Sequence, residues 1–238
     1  MILPNLRASF GRRDALHLVE LLADRDAELK ELARERLDAD GMDTLLDDPR
    51  VLNILLTNPE VKAPPPLVFY VLVRQALLEG GIEDRRTADY VATMVLSFVR
   101  SGRAHRVSEA DPHEYRYLVD LVIKLADTTP REAFLLRAHL GDFALWLSGL
   151  FPDFIEGRAR RRGAPPMGYY ERMGATGYAL ASESPEAASL GLTEIFSGVS
   201  RHFSGVRIAL NRVSDRYLCP GRGNPVEQLI REVSSRAP

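Results

Sequence analysis

The amino-acid sequence predicts an all-α fold, a multi-helix bundle built around one buried central helix at about residues 131–151. The first observation is that no stretch alternates apolar and polar residues with the β-branched enrichment of a sheet. The second is that segments with helical periodicity are separated by short Gly, Pro and Asp signals. The third is that the central segment, REAFLLRAHLGDFALWLSGLF, is apolar on nearly every face, which is typical of a helix buried on all sides.

Length and composition favour a globular protein with a sizeable core. The chain has 238 residues, of which 45% are hydrophobic and 27% are charged. We expect one all-α domain over 1–238, with residues 101–112 as the candidate boundary between two sub-bundles and 224–238 as a weakly ordered tail. The net charge of −2 gives no electrostatic reason to expect nucleic acid or an anionic membrane as a partner.

The cysteine count and the apolar runs predict a cytoplasmic protein. Cys219 is the single cysteine, so neither an intramolecular disulfide nor a thiolate zinc cluster is expected. The opening residues, MILPNLRASFGRR, have no basic region followed by an apolar one, as a signal peptide would. The longest apolar run, Leu67 to Val73, is far shorter than the ~20 residues that cross a bilayer.

Before the central helix, the sequence predicts an extended arm and seven helical segments. The run at 63–66, APPP, must be extended up to its last proline, so a helix can start only there. Gly80-Gly81 stops that helix, and Asp84 is placed to cap the next one. After an arm at 1–10, the predicted segments are Arg12–Ala23, Asp24–Asp38, Asp43–Asp48, Pro49–Thr57, Leu67–Glu79, Asp84–Arg100 and His113–Ala126.

Capping signals bound the central helix and the helices after it. Thr129-Pro130 combines an N-cap hydroxyl with a proline in the first helical turn. Pro152 ends the central helix or begins the next one, and Ser184-Pro185 repeats the cap signature. The predicted later segments are Asp153–Arg162, Tyr169–Ala181 and a long final helix, Glu186–Leu218, broken near Gly191 or Gly198.

Helical periodicity also predicts which faces point inward. The central helix groups small residues on one side, where another helix can approach closely: Ala138, Gly141, Ser148 and Gly149. The first helix is expected to bury Leu16, Val19, Leu22 and Ala23, and the helix at 113–126 to bury Tyr115, Leu118, Val119, Val122 and Ala126.

The central helix also carries the candidate site. His139 and Asp142 lie three residues apart and can meet on one flank, beside Trp146. A buried carboxylate needs a partner, and Asp142 could orient His139 as a general base or metal ligand. The alternative, which we favour, is that each satisfies a backbone or arginine group of a neighbouring helix. Tyr170 joins the same pocket if its helix packs on the central one, so the candidate ligand-binding set is His139, Asp142, Trp146 and Tyr170.

Sequence motifs assign no catalytic residue, no metal and no cofactor, and leave open whether the chain is an enzyme. There is no G-x-S-x-G elbow, no P-loop, no G-x-G-x-x-G after a strand and no Glu-x-x-His. The arginines at 158–162 read either as an RNA contact or, as we favour, as charge at the C-terminal end of a short helix. Arg207, Asn211 and Asp215 are predicted to form an intrahelical surface ladder.

Several stretches resemble a family of uncharacterised bacterial all-helical proteins. They are Leu67–Leu78, Leu140–Ile155, Tyr169–Tyr178 and the run LNRVSD at 210–215. The resemblance implies a helical fold and attaches no activity. We therefore expect a binding, regulatory or scaffold protein that contacts a protein partner or forms a homodimer. The alternative is a small-molecule-binding protein or enzyme with a pocket near His139 and Asp142, and RNA binding through the arginines ranks third.

Overall fold

The computed structural model describes residues 1–23, 26–58, 63–101, 105–107 and 113–217. These ranges contain fourteen helices and no strand, which confirms the predicted all-α fold. The helices are α1 Leu6–Ser9, α2 Arg12–Ala23, α3 Ala27–Asp40, α4 Met42–Leu46, α5 Pro49–Thr57, α6 Pro65–Glu79, α7 Arg85–Ser101, α8 Leu118–Leu125, α9 Pro130–Leu150, α10 Pro152–Arg162, α11 Met167–Ser182, α12 Pro185–Ser189, α13 Thr193–Arg201 and α14 Phe203–Tyr217.

Some predicted features lie outside the described residues. They are most of the candidate boundary at 101–112, the tail at 224–238 and Cys219. Among the described residues, most buried apolar side chains, from Leu6 to Val213, pack in one contiguous cluster, and Val68 and Leu72 form a small second one. None of the described helices is both long and apolar enough to cross a membrane.

The predicted capping signals set the helix starts. Thr129 Oγ1 accepts a hydrogen bond from the Glu132 amide, and the Glu132 carboxylate accepts from the Thr129 amide, so α9 begins with a capping box before Pro130. The Asp84 carboxylate accepts from the amides of Arg86 and Thr87 and so caps α7 as predicted. These local bonds explain why the sequence predicts the two helix starts closely.

Two segments before α9 differ from prediction. The arm at 1–10 contains the short helix α1, because Leu6 is buried and the Arg7 amide donates to Asp89 at 3.0 Å. The helix predicted at 113–126 begins only at Leu118, because the Tyr115 amide donates to the His105 carbonyl at 2.7 Å instead of joining a helix.

The shorter α8 changes which side chains are buried. Tyr115, Leu118 and Leu121 are buried, whereas Val119 is 49% exposed and Val122 is 38% exposed. Leu16 of α2 is also exposed, at 42%, and Leu18 is buried in its place. The inward faces predicted for these two helices were therefore partly wrong, because a small shift in phase moves a side chain off the core face.

The predicted final helix is three helices. The first break is at Gly191, whose φ of +68° ends α12 in a conformation that favours glycine. The second break is at His202, between α13 and α14. Gly198, the other predicted break, lies inside α13, where an added Cβ would make only an ordinary contact at 3.7 Å.

The predicted close approach on the small-residue side of α9 is confirmed. A Cβ added at Gly141 would lie 2.7 Å from the Tyr178 ring of α11, and one at Gly149 would lie 2.9 Å from Leu210 of α14. From the α11 side, a Cβ at Gly177 would lie 2.8 Å from the Arg137 carbonyl. Both helices therefore approach α9 to a distance that only glycine permits, and α9 lies at the centre of the bundle.

Candidate functional site

The structure divides the four predicted site residues between two places. His139 and Asp142 are both buried, each with 4% exposure. Trp146 and Tyr170 are half-buried and line a groove on the surface. The expected packing of Tyr170's helix, α11, on α9 is present, but the four side chains do not line one cavity.

Asp142 is held by two tyrosines from other helices. The hydroxyls of Tyr90 on α7 and Tyr178 on α11 donate to its Oδ1 atom at 2.6 and 2.7 Å. Phe196 packs against both tyrosine rings, with centroid distances of 5.3 and 5.4 Å. These donors are neither the backbone nor the arginine group that the sequence suggested, and they tie three helices together at one carboxylate.

Burial shifts the proton affinity of this cluster. It raises the pKa of Asp142 from 3.8 to about 6, although the two tyrosine hydrogen bonds act to lower it. Burial, followed by the nearby Asp142 charge, raises the pKa of Tyr90 and Tyr178 well above 10.0. The two hydroxyls therefore stay protonated and act as fixed donors to the carboxylate.

His139 packs against aromatic rings. Its imidazole is nearly parallel to Phe143, with centroids 6.1 Å apart, and meets the Phe98 ring at 5.9 Å. A cavity of about 30 Å³ reaches both His139 and Asp142. That volume suits a water molecule rather than a substrate, so this part of the molecule resembles packed core more than a ligand pocket.

A larger groove lies between α8, α9, α10 and the start of α11. We call it the aromatic groove, and its volume is about 430 Å³. Its aromatic lining residues are Tyr117, Phe143, Trp146, Phe151, Phe154, Tyr169 and Tyr170, and its cationic or titratable ones are His105, Arg116 and Arg158. Its remaining lining residues are Leu118, Val119, Leu147, Ala164 and Pro165. The described lining therefore includes no carboxylate.

The rings of the aromatic groove are fixed by contact with one another. Trp146 makes edge-to-face contacts with Phe98 beneath it and Phe151 beside it, each at 5.5 Å. Tyr169 and Tyr170 meet at right angles, 5.7 Å apart. Burial and then Tyr169 raise the pKa of Tyr170, while the nearby Arg158 charge opposes the increase.

Arg158 is the cation that enters the aromatic groove. Its guanidinium carbon lies 5.4 Å from the ring centroids of both Tyr117 and Phe154, within the range of a cation–π contact. Its Nε atom is buried, and no side chain or carbonyl of the described residues bonds it. Within the described part of the chain, no carboxylate forms a salt bridge with Arg158.

The predicted arginine cluster at 158–162 is therefore not one patch. Arg160 pairs with Glu156 at 3.4 Å, and Arg161 and Arg162 are exposed in the last turn of α10. Phe154 and Arg158 are groove residues that were not among the predicted site residues. Their spacing of four residues, which places both on one face of α10, was the signal available for finding them.

The predicted ladder on the last helix is partly wrong. Asn211 does not only pair along α14: its side-chain amide donates to the Ser148 carbonyl at 3.0 Å and to the Gly149 carbonyl. Arg207 bonds both Asn211 and Glu171 of α11. The last carbonyls of a helix lack partners within it, so Asn211 satisfies the end of α9, while Asp215 is exposed.

No family model, curated protein or solved structure matches this chain. The resemblance to helical bacterial proteins therefore stays a prediction. Within the described residues, no group of three or more His, Cys, Asp or Glu side chains is arranged to hold a metal ion. The geometry of the aromatic groove is thus the main guide to function.

Proposed function

We propose that this chain is a binding protein whose ligand is a small molecule with a flat apolar body that occupies the aromatic groove. The observation that carries the proposal is that large rings converge on this groove and leave it open. Tyr117, Phe151 and Phe154 are 51%, 42% and 49% exposed. Contiguous exposed apolar surface is uncommon unless it binds something.

The size and lining of the aromatic groove support a small-molecule ligand. Its volume of about 430 Å³ lies in the range of pockets that bury most of a small organic molecule. Aromatic faces can stack on a planar ligand, and the edge-to-face contacts of Trp146 hold its ring in place without ligand. Binding then requires little reordering of the wall, which favours affinity.

The fluorescence of Trp146 can be used to test this proposal. Trp146 is the only tryptophan, so its fluorescence comes from the aromatic groove alone. We expect the neutral fluorophore phenylnaphthylamine to bind saturably and to quench Trp146 by energy transfer. Tyr170→Ala should weaken binding, whereas Ile208→Ser, which removes an exposed apolar side chain of α14, should not. Non-saturable binding, or equal loss in both variants, would contradict the proposal.

Self-association is a second candidate, supported by the outer face of α8. Val119, Val122 and Ile123 lie on one side of this helix and are 49%, 38% and 68% exposed. A second copy of the chain that covered this row would bury it symmetrically. Sedimentation velocity over a range of concentrations should then show a dimer that Ile123→Asp dissociates. A monomer at every concentration would rule this candidate out.

A further inference from the structure

We infer that the ligand of the aromatic groove carries an anionic group on its apolar body, and that Arg158 binds that group. The inference rests on the proposed function and adds the charge of the ligand and the residue that recognises it. A carboxylate and a sulfonate share the required chemistry, since both present two or more oxygens to a guanidinium.

The charge of the groove is opposite to that of the chain. Among the described residues, its lining includes Arg116, Arg158 and His105 and no acidic side chain, whereas the whole chain has a net charge of −2. Apolar walls strengthen the field of such charges, because little water screens them inside a cleft. The aromatic groove therefore attracts anions on a protein that repels them overall.

Arg158 is prepared to donate hydrogen bonds. The rings of Tyr117 and Phe154 contact its guanidinium, and its buried Nε atom has no hydrogen-bond partner among the described residues. A buried donor without a partner carries a free-energy cost that a bound acceptor removes. A guanidinium in contact with ring faces can still donate from its edge, as a forked pair, to the oxygens of an anion.

The other two groups of the lining are less suited to this role. Arg116 is 74% exposed and lies 3.6 Å from the Glu114 carboxylate, so its charge is partly neutralised at the rim. His105 Nδ1 lies 3.3 Å from the Tyr115 carbonyl, which leaves only its other nitrogen for a ligand. Of the three cationic or titratable groups in the described lining, Arg158 combines partial burial with a donor that no described residue bonds.

Stabilisation of the helix end does not explain the position of Arg158. Arg160, Arg161 and Arg162 already occupy the last turn of α10, where positive charge interacts favourably with the helix dipole. Arg158 lies one turn earlier, and its side chain contacts the groove rings. The helix end would keep three basic residues without it.

Two probes that differ by one anionic group test the inference. Phenylnaphthylamine is neutral, and anilinonaphthalene sulfonate is the same molecule with a sulfonate added. We expect the wild-type protein to bind the sulfonate roughly 10-fold more tightly. Arg158→Gln should weaken the sulfonate about 10-fold and the neutral probe less than about 2-fold. Arg161→Gln, an exposed change on the same helix, should alter neither dissociation constant.

The outcomes separate the inference from the proposed function. If Arg158→Gln lowers the affinity for both probes equally, or for neither, the inference of an anionic ligand is wrong, while the groove remains a binding site. If neither probe binds the wild type, the proposed function fails. A dimer that Ile123→Asp dissociates would then support self-association through the outer face of α8. Arg158→Lys is the second variant, for the case in which glutamine impairs folding. It keeps the positive charge but cannot donate two parallel hydrogen bonds, so it should retain part of the sulfonate affinity. Equal melting temperatures confirm that each variant is folded.

Discussion

Both sides of α9 carry apolar residues, but one side is closely packed and the other borders a groove. On the side that faces α11 and α14, which we call the sealed face, Gly141 and Gly149 let a ring and a leucine approach within 2.7 and 2.9 Å of where a Cβ would be. On the side that faces α8 and α10, which we call the open face, Phe143 and Trp146 meet other large rings and leave a groove of about 430 Å³.

Residue size explains the difference between the two faces. Where a large side chain meets a glycine, the helices close and no space remains. Where large rings meet large rings, edge-to-face contacts hold them apart and a cleft persists. A helix that is hydrophobic all round can therefore provide a core on one side and a binding surface on the other.

The largest effect is expected on the sealed face. Gly141→Leu should destabilise the fold by about 3 kcal/mol and lower the melting temperature by roughly 10 °C, because even the first carbon of the side chain overlaps the Tyr178 ring. Gly141→Ala should also lower the stability and the melting temperature, but by less. Thermal unfolding followed by circular dichroism measures both.

Gly198→Ala is the matched control for this prediction. Gly198 lies within α13, and its added Cβ would lie 3.7 Å from Thr87 Oγ1, an ordinary contact. Alanine there should stabilise the protein by about 0.5 kcal/mol through helix propensity. An unchanged melting temperature for Gly141→Leu would refute the close packing of the sealed face.

The second effect comes from the carboxylate buried beside the sealed face. Burial raises the pKa of Asp142 to about 6 in the folded chain, whereas an unburied aspartate has a pKa of 3.8. Between these two pH values the folded state therefore binds more protons than the unfolded state. Stability therefore falls as pH rises from 4 to 6 and is constant above that window. The change is about 2 kcal/mol at this site.

Asp142→Asn isolates this contribution. Its amide oxygen can still accept from Tyr90 and Tyr178, but the side chain does not titrate. Urea unfolding from pH 4 to 8 should show the wild type losing stability relative to the variant through the acidic window. Parallel curves for the two proteins would mean that the carboxylate titrates as it does in water.

The third effect concerns the hydrogen bonds that join α14 to the C-terminal end of α9. Asn211→Ala removes the donor to the Ser148 and Gly149 carbonyls and should cost about 1–2 kcal/mol, since buried acceptors lose their partner. Asp215→Ala, one turn further along α14 and exposed, should change stability by less than about 0.5 kcal/mol. If urea unfolding shows the same loss of stability for both variants, Asn211 lies in a surface ladder, as the sequence suggested, and does not stabilise the end of α9.

The sealed face was the part of this contrast that the sequence could predict. Thr129 and Pro130 mark the start of α9, and its grouped small residues indicate where another helix can approach. These signals are local, so they survive without knowledge of the fold. Which helix approaches is not local: the tyrosines that bind Asp142 come from 52 and 36 residues away along the chain.

The open face could not be predicted for a similar reason. The aromatic groove exists because α8 starts at Leu118, after Tyr115 has bonded the His105 carbonyl across 10 residues. The pattern of 113–126 favoured a longer helix, with Val119 and Val122 inward. Trp146 and Tyr170 were candidates because they were expected to lie beside His139 and Asp142, but their separation from that pair depends on how the helices pack.

The smallest effect on stability should come from the open face, and it sharpens the contrast most directly. Phe154 is 49% exposed and contacts the Arg158 guanidinium, so Phe154→Ala should cost less than about 1 kcal/mol. Leu145→Ala, at a fully buried position of α9, should cost about 2–5 kcal/mol. Phe154→Ala should also weaken phenylnaphthylamine binding, which the melting temperature would not reveal. A loss of stability as large as that of Leu145→Ala would make the aromatic groove a part of the core, because a ring kept for binding contributes little to folding.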